Sequence, residues 1–310
     1  MMLAIVTVFY VLPLTVFADI INDSPTSVAG ATNEDAEYIP EGLKATYEVK
    51  SLREESSKTF RLEDGTYVSA QYMTPVHKLD ESGEWVDIDN ALDASGTEYS
   101  TSDARVKFVK KINGSKELFT LHEGNTKITV ALPDAIKKTP GTVYNGSDPA
   151  GYTELQKMMN LERLTSRIVY ADILDGADVE YVISQGSIKE NIIVKEMKES
   201  YSYTFNLYLN NLNAALGVGG NVYLRELSGA AKYVIPAPTV YDANGSLCPS
   251  EAAYYTLTDQ GGGKYTLTVT VSSAWMNSAD RAFPVTVDPP LWTEGAYKNE
   301  VMDIEDTFIV

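Results

Sequence analysis

The sequence has little of the residue types that build covalent cross-links and nucleophilic active sites. One of its 310 residues is cysteine, Cys248, and two are histidine, His77 and His122. A single cysteine excludes an internal disulfide, which is typical of a bacterial exported protein that relies on the size of its core. The scarcity of histidine and the lack of a Gly-x-Ser-x-Gly segment argue against a serine hydrolase and against the usual structural zinc sites. Both histidines fall in predicted strands, where we expect a packed or solvent-facing imidazole.

Positive charge is also scarce. The chain has 25 Lys and Arg against 43 Asp and Glu, a net charge of −18. Each contact with a phosphate works against this field, so the composition predicts no binding to nucleic acid or to an anionic lipid surface. The glycine-rich segments that begin at Gly217 and Gly261 lack the Lys-Ser/Thr pair of a phosphate-binding loop, and we interpret them as turns.

Apolar runs are short throughout the chain. The longest, residues 3–17, is interrupted by Pro13 and ends in Val16-Phe17-Ala18, which predicts a signal peptide over residues 1–18 rather than a membrane span. No Lys or Arg precedes this run, so we expect the true start to lie further upstream. Residues 19–42 are rich in small polar residues and predict a flexible leader. The protein is therefore predicted to be secreted, extracellular or wall-associated, and free of the membrane after cleavage.

Short alternating segments separated by turns make up most of the remaining chain. Polar and apolar residues alternate on both sides of Asp64-Gly65 and again around Ser82-Gly83, a pattern typical of β-hairpins. Turns recur about every ten residues, which favours an antiparallel, sandwich-like all-β fold. We predict β-rich units at residues 43–133 and 140–290, one short helix at 153–164, and a linker with the start of a further domain at 291–310. Residues 272–277 are a second candidate for a turn of helix.

Carboxylates supply the candidate ligands. Asp172, Asp175, Asp178 and Glu180 surround the turn at Asp175-Gly176 and offer the oxygen atoms that calcium prefers, although their spacing is not that of an EF-hand. We predict no cofactor, with calcium at these four residues as the alternative. Glycoside hydrolysis needs two carboxylates at a set separation, and an acidic chain has too many to select a pair. No catalytic residue is predicted.

A charged triplet, Lys189-Glu190-Asn191, lies inside the apolar alternating stretch of residues 181–196. Apolar residues fall on both faces of this stretch, which is typical of a strand between two layers. We predict that Lys189 and Glu190 pair with charges on a neighbouring strand and contribute up to about 1 kcal/mol to stability. This interpretation assigns the triplet no catalytic role.

Several short motifs carry a resemblance to a known family. They are Gly83-x-Trp85-x-x-Ile88-Asp89-Asn90, Ser166-x-x-x-Tyr170, Gly176-Ala-Asp178-Val-Glu-Tyr181, Gly186-x-x-Lys189-Glu190-Asn191-Ile192, Ile235-Pro-Ala-Pro-x-x-x-Asp242 and Phe283-Pro-Val-Thr-Val-Asp288-Pro289. Together they resemble the N-terminal region of large secreted, wall-associated proteins of Gram-positive bacteria, which precedes DNRLRE-type stalk domains and RHS/YD repeats. Residues 304–310 resemble the first strand of such a stalk domain, cut off. The resemblance transfers no catalytic residues to this chain.

The resemblance implies a non-catalytic scaffold module rather than an enzyme. Its expected partners are the downstream domains of the same polypeptide and, as a further candidate, cell-wall glycan. The alternative from another class is a secreted carbohydrate-binding or glycoside-hydrolysing domain in which Trp85, Trp275 or Trp292 stacks on sugar. A calcium-stabilised adhesin is the third alternative.

Overall fold

The structure is a computed structural model that describes residues 5–10, 44–72, 75–80, 82–136, 139–146, 157–159, 163–184, 187–289 and 291–293. Strands that pair mostly antiparallel dominate these residues, which confirms the predicted all-β, sandwich-like fold. The short helix α1 spans Ser273–Met276. Within the described ranges, no helix is long and apolar enough to span a membrane. The helix predicted at 153–164 falls mostly outside the described residues.

The chain forms two compact units, one of residues 1–88 and 147–164 and the other of residues 89–146 and 165–310. Unit 1 contains a sheet with the strand order β1-β4-β3-β2 and a separate two-stranded ribbon, β5-β6. Its strands are β1 Ile5–Tyr10, β2 Ala45–Glu48, β3 Ser57–Leu62, β4 Tyr67–Tyr72, β5 His77–Leu79 and β6 Trp85–Asp87, with a 3-10 helix at Lys50–Leu52. Strand β1 lies in the predicted signal peptide, whose cleavage stays a prediction.

Both predicted hairpins of unit 1 are present. Strands β3 and β4 are joined at Asp64-Gly65, where Gly65 has a φ of +85° and the Asp64 carboxylate accepts a hydrogen bond from the Thr66 N–H. In β5-β6, Gly83 has a φ of +81° and Asp80 accepts from two backbone N–H groups of the turn. Glycine adopts such a positive φ without steric cost, so these turns form where the sequence places them.

Unit 2 contains an eight-stranded sheet and a ten-stranded sheet that contribute to one buried core. The first has the order β21-β22-β16-β11-β10-β9-β8-β7, and its strands are β7 Asp93–Ser95, β8 Glu98–Ser100, β9 Val106–Val109, β10 Glu117–Glu123, β11 Thr126–Ala131, β16 Tyr201–Asn210, β21 Ala253–Gly261 and β22 Lys264–Val271. Side chains alternate cleanly in β16 and β22, with one buried face and one outward face that carries mostly Ser, Thr and Asn. This period of two is what the sequence predicts for a half-buried strand.

The second sheet runs β12-β13-β14-β15-β24-β19-β18-β17, with β23 paired to both β15 and β20. Its strands are β12 Thr142–Asn145, β13 Ser166–Leu174, β14 Ala177–Ser184, β15 Ser187–Val194, β17 Leu212–Leu216, β18 Val222–Glu226, β19 Ala231–Ile235, β20 Thr239–Tyr241, β23 Val285–Asp288 and β24 Leu291–Thr293. Short 3-10 helices lie at Val218–Gly220 and Ser250–Ala252. Strand β15 pairs with β23 through Ile192 and with β24 through Ile188, so Glu190 lies between the two paired stretches.

The division between the units differs from the one expected from the sequence. Residues 89–133, which the sequence grouped with the first β-rich unit, lie in unit 2. The reason is a long-range pairing, in which β11 continues its sheet through β16, with Ile128 opposite Leu209. Turn spacing identifies neighbouring hairpin strands but carries no information about which distant strand extends a sheet.

Candidate functional site

Five ionisable side chains of unit 1 meet at the ends of its short strands, and we call them the unit 1 charge network. They are Glu48 at the end of β2, Arg53 after the first 3-10 helix, Lys58 on β3, His77 on β5 and Asp87 on β6. The Arg53 guanidinium binds both carboxylate oxygens of Glu48, each at 2.7 Å, and donates to Asp87 at 2.8 Å. Such bidentate pairing is among the strongest hydrogen bonding that proteins make.

The other side of the network brings a lysine and a histidine to the same carboxylates. The Lys58 ammonium lies 2.5 Å from Asp87. The Nδ1 atom of His77 is 2.6 Å from the Glu54 carbonyl oxygen, which accepts, so Nδ1 carries a hydrogen. Its Nε2 atom has no hydrogen-bond partner and lies 3.5 Å from Glu48 and 3.6 Å from Asp87. One imidazole nitrogen therefore faces two carboxylates.

Both carboxylates of the network remain ionised because cations surround them. Burial alone raises the pKa of Glu48, but the nearby His77 imidazole, the hydrogen bonds from Arg53 and the charge of Lys58 outweigh it and lower the pKa to about 2. Burial likewise opposes ionisation of Asp87, and its contacts with Lys58 and Arg53 lower its pKa. The two carboxylates of the network neutralise the charges of Arg53 and Lys58. An added anion would therefore have to displace a carboxylate in order to bind either cation.

The network was not identified from the sequence. His77 was expected only as a packed or solvent-facing imidazole, and its side chain is indeed buried. The sequence carries no signal for Glu48, Arg53 and Lys58, because they lie on different strands and converge only through tertiary packing.

The predicted calcium ligands do not converge as a set of four. Lys195 contacts Asp172 at 2.9 Å and Asp178 at 2.6 Å, whereas Lys198 contacts Asp175 at 2.6 Å. Within the part of the chain that the structure describes, no group of three or more His, Cys, Asp or Glu side chains is arranged to hold a metal ion.

Glu180, the fourth predicted ligand, is buried elsewhere. It accepts hydrogen bonds from Arg167 at 2.9 Å and from Asn191 at 2.8 Å. Calcium binding at the four residues stays a prediction from the sequence.

The charged triplet of β15 divides between two environments. Lys189 binds Asp288 of β23 at 2.8 Å, as the predicted cross-strand pairing requires. Glu190 instead enters the core of unit 2, where it lines a cavity of about 30 Å³ together with Tyr181 and Tyr255. We call this space the unit 2 core cavity. Each of its three polar side chains has an oxygen atom without a hydrogen-bond partner.

The surroundings of the unit 2 core cavity oppose ionisation of Glu190. Burial is the main cause that raises its pKa, to about 8, and the nearby charge of Asp288 adds to it, whereas a contact with the Tyr181 hydroxyl acts the other way. Burial also raises the pKa of Asp288, against the effect of Lys189. With a pKa of about 8, Glu190 is mostly the neutral acid at pH 7.

Two tryptophans of the carbohydrate alternative, Trp85 and Trp275, are half-buried and make other contacts. Trp85 is half-buried on β6, and its carbonyl oxygen accepts a hydrogen bond from Arg53. Trp275 of α1 is half-buried, and the Arg281 guanidinium stacks over its ring at 3.6 Å, where a sugar would have to bind. The side chain of Trp292 lies outside the described residues.

The chain is similar to proteins that are named as tRNA nucleases. No family model matches the chain. The chain is similar to the tRNA nuclease WapA of Bacillus subtilis (strain 168), with 24% identity over 268 residues that cover 83% of this chain and 11% of the relative. It is also similar to the tRNA3(Ser)-specific nuclease WapA of Bacillus spizizenii (strain DSM 15029), with 23% identity over 282 residues, or 87% of this chain and 12% of the relative.

A third relative has the same kind of name. The tRNA(Glu)-specific nuclease WapA of Bacillus subtilis subsp. natto (strain BEST195) is 24% identical over 268 residues, which cover 83% of this chain and 11% of the relative. The chain thus spans about a tenth of the length of each of these curated relatives.

These relatives overturn several predictions made from the sequence. The resemblance to an N-terminal region of RHS/DNRLRE-type proteins was wrong, because the similarity that extends along the chain is to proteins named as tRNA nucleases. The predictions of a non-catalytic scaffold and of no enzyme are contradicted by the same names, and the carbohydrate alternative gains no support from them. Short motifs of two to seven defined residues carry little specificity compared with an alignment over most of the chain.

The predicted lack of nucleic-acid partners is also contradicted, since tRNA is named in all three relatives. The physical argument rested on the net charge of −18. Net charge describes the average field of this chain alone, whereas the matched region is 11% of the relative.

Proposed function

We propose that this chain is part of a nuclease that acts on tRNA. The observation that carries the proposal is similarity over 83 to 87% of the chain to three proteins named as tRNA nucleases. Because the chain spans about a tenth of each relative, the activity is proposed for the whole protein. The relatives' names differ in the tRNA they specify, so no single tRNA is proposed as the substrate.

Within the described residues, we place the candidate reacting groups in the unit 1 charge network. Cleavage of an RNA phosphodiester needs a base for the attacking hydroxyl and cations that stabilise negative charge on the phosphate. His77 is the candidate base, because its Nε2 atom has no hydrogen-bond partner, and Arg53 and Lys58 are the candidate cations. All three lie within 3.6 Å of Asp87.

The exposed side of the network determines how a phosphate reaches it. The Asp87 side chain is 36% exposed, whereas that of Lys58 is 1% exposed. Both cations contact Asp87, so a phosphate oxygen must replace the Asp87 carboxylate rather than add to a free cation. We therefore expect weak binding of tRNA that falls steeply with salt.

The test compares two histidine variants of the whole protein with labelled tRNA as the substrate. His77→Asn removes the candidate base and keeps a side chain of similar size, and His122→Asn is the matched control because His122 is exposed on unit 2. We expect the His77 variant to lose at least about 100-fold in cleavage rate. The control keeps the wild-type rate, and thermal melting monitors the folding of both variants.

Two results would count against the proposal at different levels. If a longer natural form of the protein cleaves tRNA and its His77→Asn variant cleaves equally well, the reacting groups lie outside the network. If neither the chain nor the longer form cleaves any tRNA, the nuclease proposal itself fails.

We also propose that the protein is exported. An extracellular location is compatible with the apolar segment at residues 3–17 and with the described part of the chain. We further propose that the exported protein is associated with the cell wall. Fractionation of the producing cells into cytoplasm, wall and medium, with an antibody against unit 2, tests both.

A further inference from the structure

The unit 2 core cavity leaves its polar groups without partners, and its lining is otherwise apolar. Glu190 is 7% exposed, Tyr255 is 5% exposed and Tyr181 is fully buried. By hydrogen-bond geometry, the Oε1 atom of Glu190 and both phenolic oxygens lack a partner, although the Tyr181 hydroxyl lies close enough to Glu190 to act on its pKa. A buried polar atom without a partner costs about 1–3 kcal/mol, so this arrangement needs an explanation beyond packing.

The groups that face Glu190 are few. On its own strand Lys189 is engaged with Asp288, the last residue of β23. Tyr181 of β14 lies directly opposite Glu190 in the register, and Tyr255 reaches the cavity from β21 of the other sheet. Tyr170 of β13 is close enough to Tyr181 to raise its pKa further.

Every other strand that lines the cavity, namely β10, β11, β16, β18, β19, β22 and β24, contributes apolar side chains only. Glu190 therefore has no cation of its own among the groups that line the cavity. Lys189, the cation next to Glu190 in the chain, is paired with Asp288 at 2.8 Å.

The cavity is large enough for water. A volume of about 30 Å³ exceeds the space that a water molecule needs, roughly 10–15 Å³, and the three unpartnered oxygens supply the polar contacts that buried water requires. A neutral carboxyl group can stay in the cavity with one hydrogen bond to a tyrosine. An ionised carboxylate needs several hydrogen-bond donors. Among the described side chains that line this cavity, the only donors are the two tyrosine hydroxyls, together with any water that enters.

We propose that Glu190, Tyr181 and Tyr255 form a pH-sensitive lock between the two sheets of unit 2, closed when Glu190 is the neutral acid. Loss of the Glu190 proton places an unpaired charge in the core, draws water into the cavity and weakens the contact between the sheets. The location explains the effect, because the cavity is lined from both sheets and Glu190 lies where β15 changes its pairing from β23 to β24.

The sign of the pH effect follows from the pKa of Glu190, which lies at about 8 in the folded chain against an ordinary value of 4.5. An acid with a raised pKa in the folded state binds its proton more tightly there than in the unfolded chain. Stability is therefore lost as the pH rises through the interval between the two values, by about tenfold in the folding equilibrium constant per pH unit. Above this interval the loss levels off.

The experiment measures urea unfolding of the whole chain from pH 5 to pH 9 for the wild type, Glu190→Gln and Glu251→Gln. Gln has the size of Glu and no charge, and Glu251 is an exposed residue of unit 2 that controls for the loss of one negative charge. We expect the ratio of the folding constants of Glu190→Gln and wild type to rise by about tenfold per pH unit up to about pH 8. The same ratio for Glu251→Gln stays constant, and a constant ratio for Glu190→Gln overturns the proposal.

A second measurement does not depend on any variant. Carbon NMR of the wild-type chain with labelled glutamate side chains follows each Glu carboxyl separately from all Asp residues, including Asp288. We expect one resonance that titrates near pH 8. If every Glu carboxyl is ionised at pH 6, Glu190 is not held as the neutral acid and the lock does not exist.

Discussion

Unit 1 and unit 2 both bury carboxyl groups, but they do so in opposite ways. In unit 1, Glu48 and Asp87 are surrounded by Arg53 and Lys58, and their pKa values are lowered. In unit 2, Glu190 enters an apolar cavity without a cation, and its pKa is raised to about 8. The comparison shows that burial by itself does not decide the charge of a carboxyl group. Partners within hydrogen-bonding distance decide it.

The same difference predicts opposite responses to pH. The paired carboxylates of unit 1 contribute stability that is lost in acid, whereas the unpaired Glu190 of unit 2 costs stability in base. One chain therefore contains two regions whose stabilities are expected to change in opposite directions. Each of the following predictions tests one side of this contrast.

The largest effect is expected when the unit 1 charge network loses its central cation. Arg53→Met keeps most of the apolar stem and removes the donor of three hydrogen bonds to Glu48 and Asp87. We expect unit 1 to lose about 3 kcal/mol of unfolding free energy, because a buried carboxylate is left without its partner. Hydrogen exchange of the unit 1 amides measures the loss.

The control for this variant is Arg225→Met, since Arg225 is exposed on β18, where it donates one hydrogen bond to the Gly229 carbonyl oxygen and lies over the Tyr223 ring. It is expected to change stability by less than about 0.5 kcal/mol. A loss below about 1 kcal/mol for the Arg53 variant would show that the network contributes little, as surface ion pairs do.

A smaller effect is expected from acid. The pKa of Glu48 is lowered from 4.5 to about 2, so its stabilising contribution is complete above about pH 4.5 and is lost as the pH falls toward 2. After allowance for solvent screening of a partly exposed group, we expect about 1–2 kcal/mol. Urea unfolding at pH 5 and pH 2.5 measures this loss of unfolding free energy. In Glu48→Gln the difference between the two pH values is expected to be smaller by the contribution of Glu48. An unchanged acid response in that variant would assign the effect to other carboxylates.

Two buried tyrosines of unit 2 provide a matched pair of similar size. The Tyr233 hydroxyl donates to the Glu123 carboxylate at 2.8 Å, whereas the Tyr255 hydroxyl has no hydrogen-bond partner. Removing a satisfied hydroxyl costs about 1 kcal/mol, so Tyr233→Phe is expected to destabilise by this amount. Tyr255→Phe is expected to be neutral or slightly stabilising at pH 6. Equal losses in the two variants would mean that Tyr255 also has a partner, such as a bound water.

Calcium is expected to have the smallest effect. Lys195 already neutralises Asp172 and Asp178, so added calcium must displace an ammonium group. We expect millimolar calcium to raise the melting temperature by less than about 1 °C relative to chelator. Lys195→Met removes the ammonium group from both carboxylates and should enlarge the calcium-dependent shift in melting temperature. A large shift in the wild type would establish the calcium site predicted from the sequence.

Local patterns in the sequence were enough to predict the all-β class and several individual turns. Asp64-Gly65 and Ser82-Gly83 form the expected turns because glycine accepts a positive φ at little cost. The segment at 272–277 was expected to form a turn of helix and does so as α1. Such features depend on residues within a few positions of one another.

The unit 1 charge network and the unit 2 core cavity depend on contacts between residues far apart in the chain, which the sequence pattern does not predict. The unit 1 charge network joins Glu48 to Asp87, and the unit 2 core cavity joins Tyr181 to Tyr255 across two sheets. The alternation of apolar and polar residues in β15 put Glu190 on an apolar face. That no cation lies beside Glu190 among the described residues could be seen only from the residues that the other sheet contributes to the cavity.

The sequence by itself thus determined the strand-rich class, the hairpin turns and the acidic character of the chain, since these follow from backbone preferences and from composition. Only the tertiary structure decided that residues 89–133 join unit 2, that Arg53 holds two carboxylates and that Glu190 has no cation beside it. The physical reason is the range of the interactions. Turn and strand preferences act between near neighbours, whereas burial and ion pairing depend on which distant strands meet.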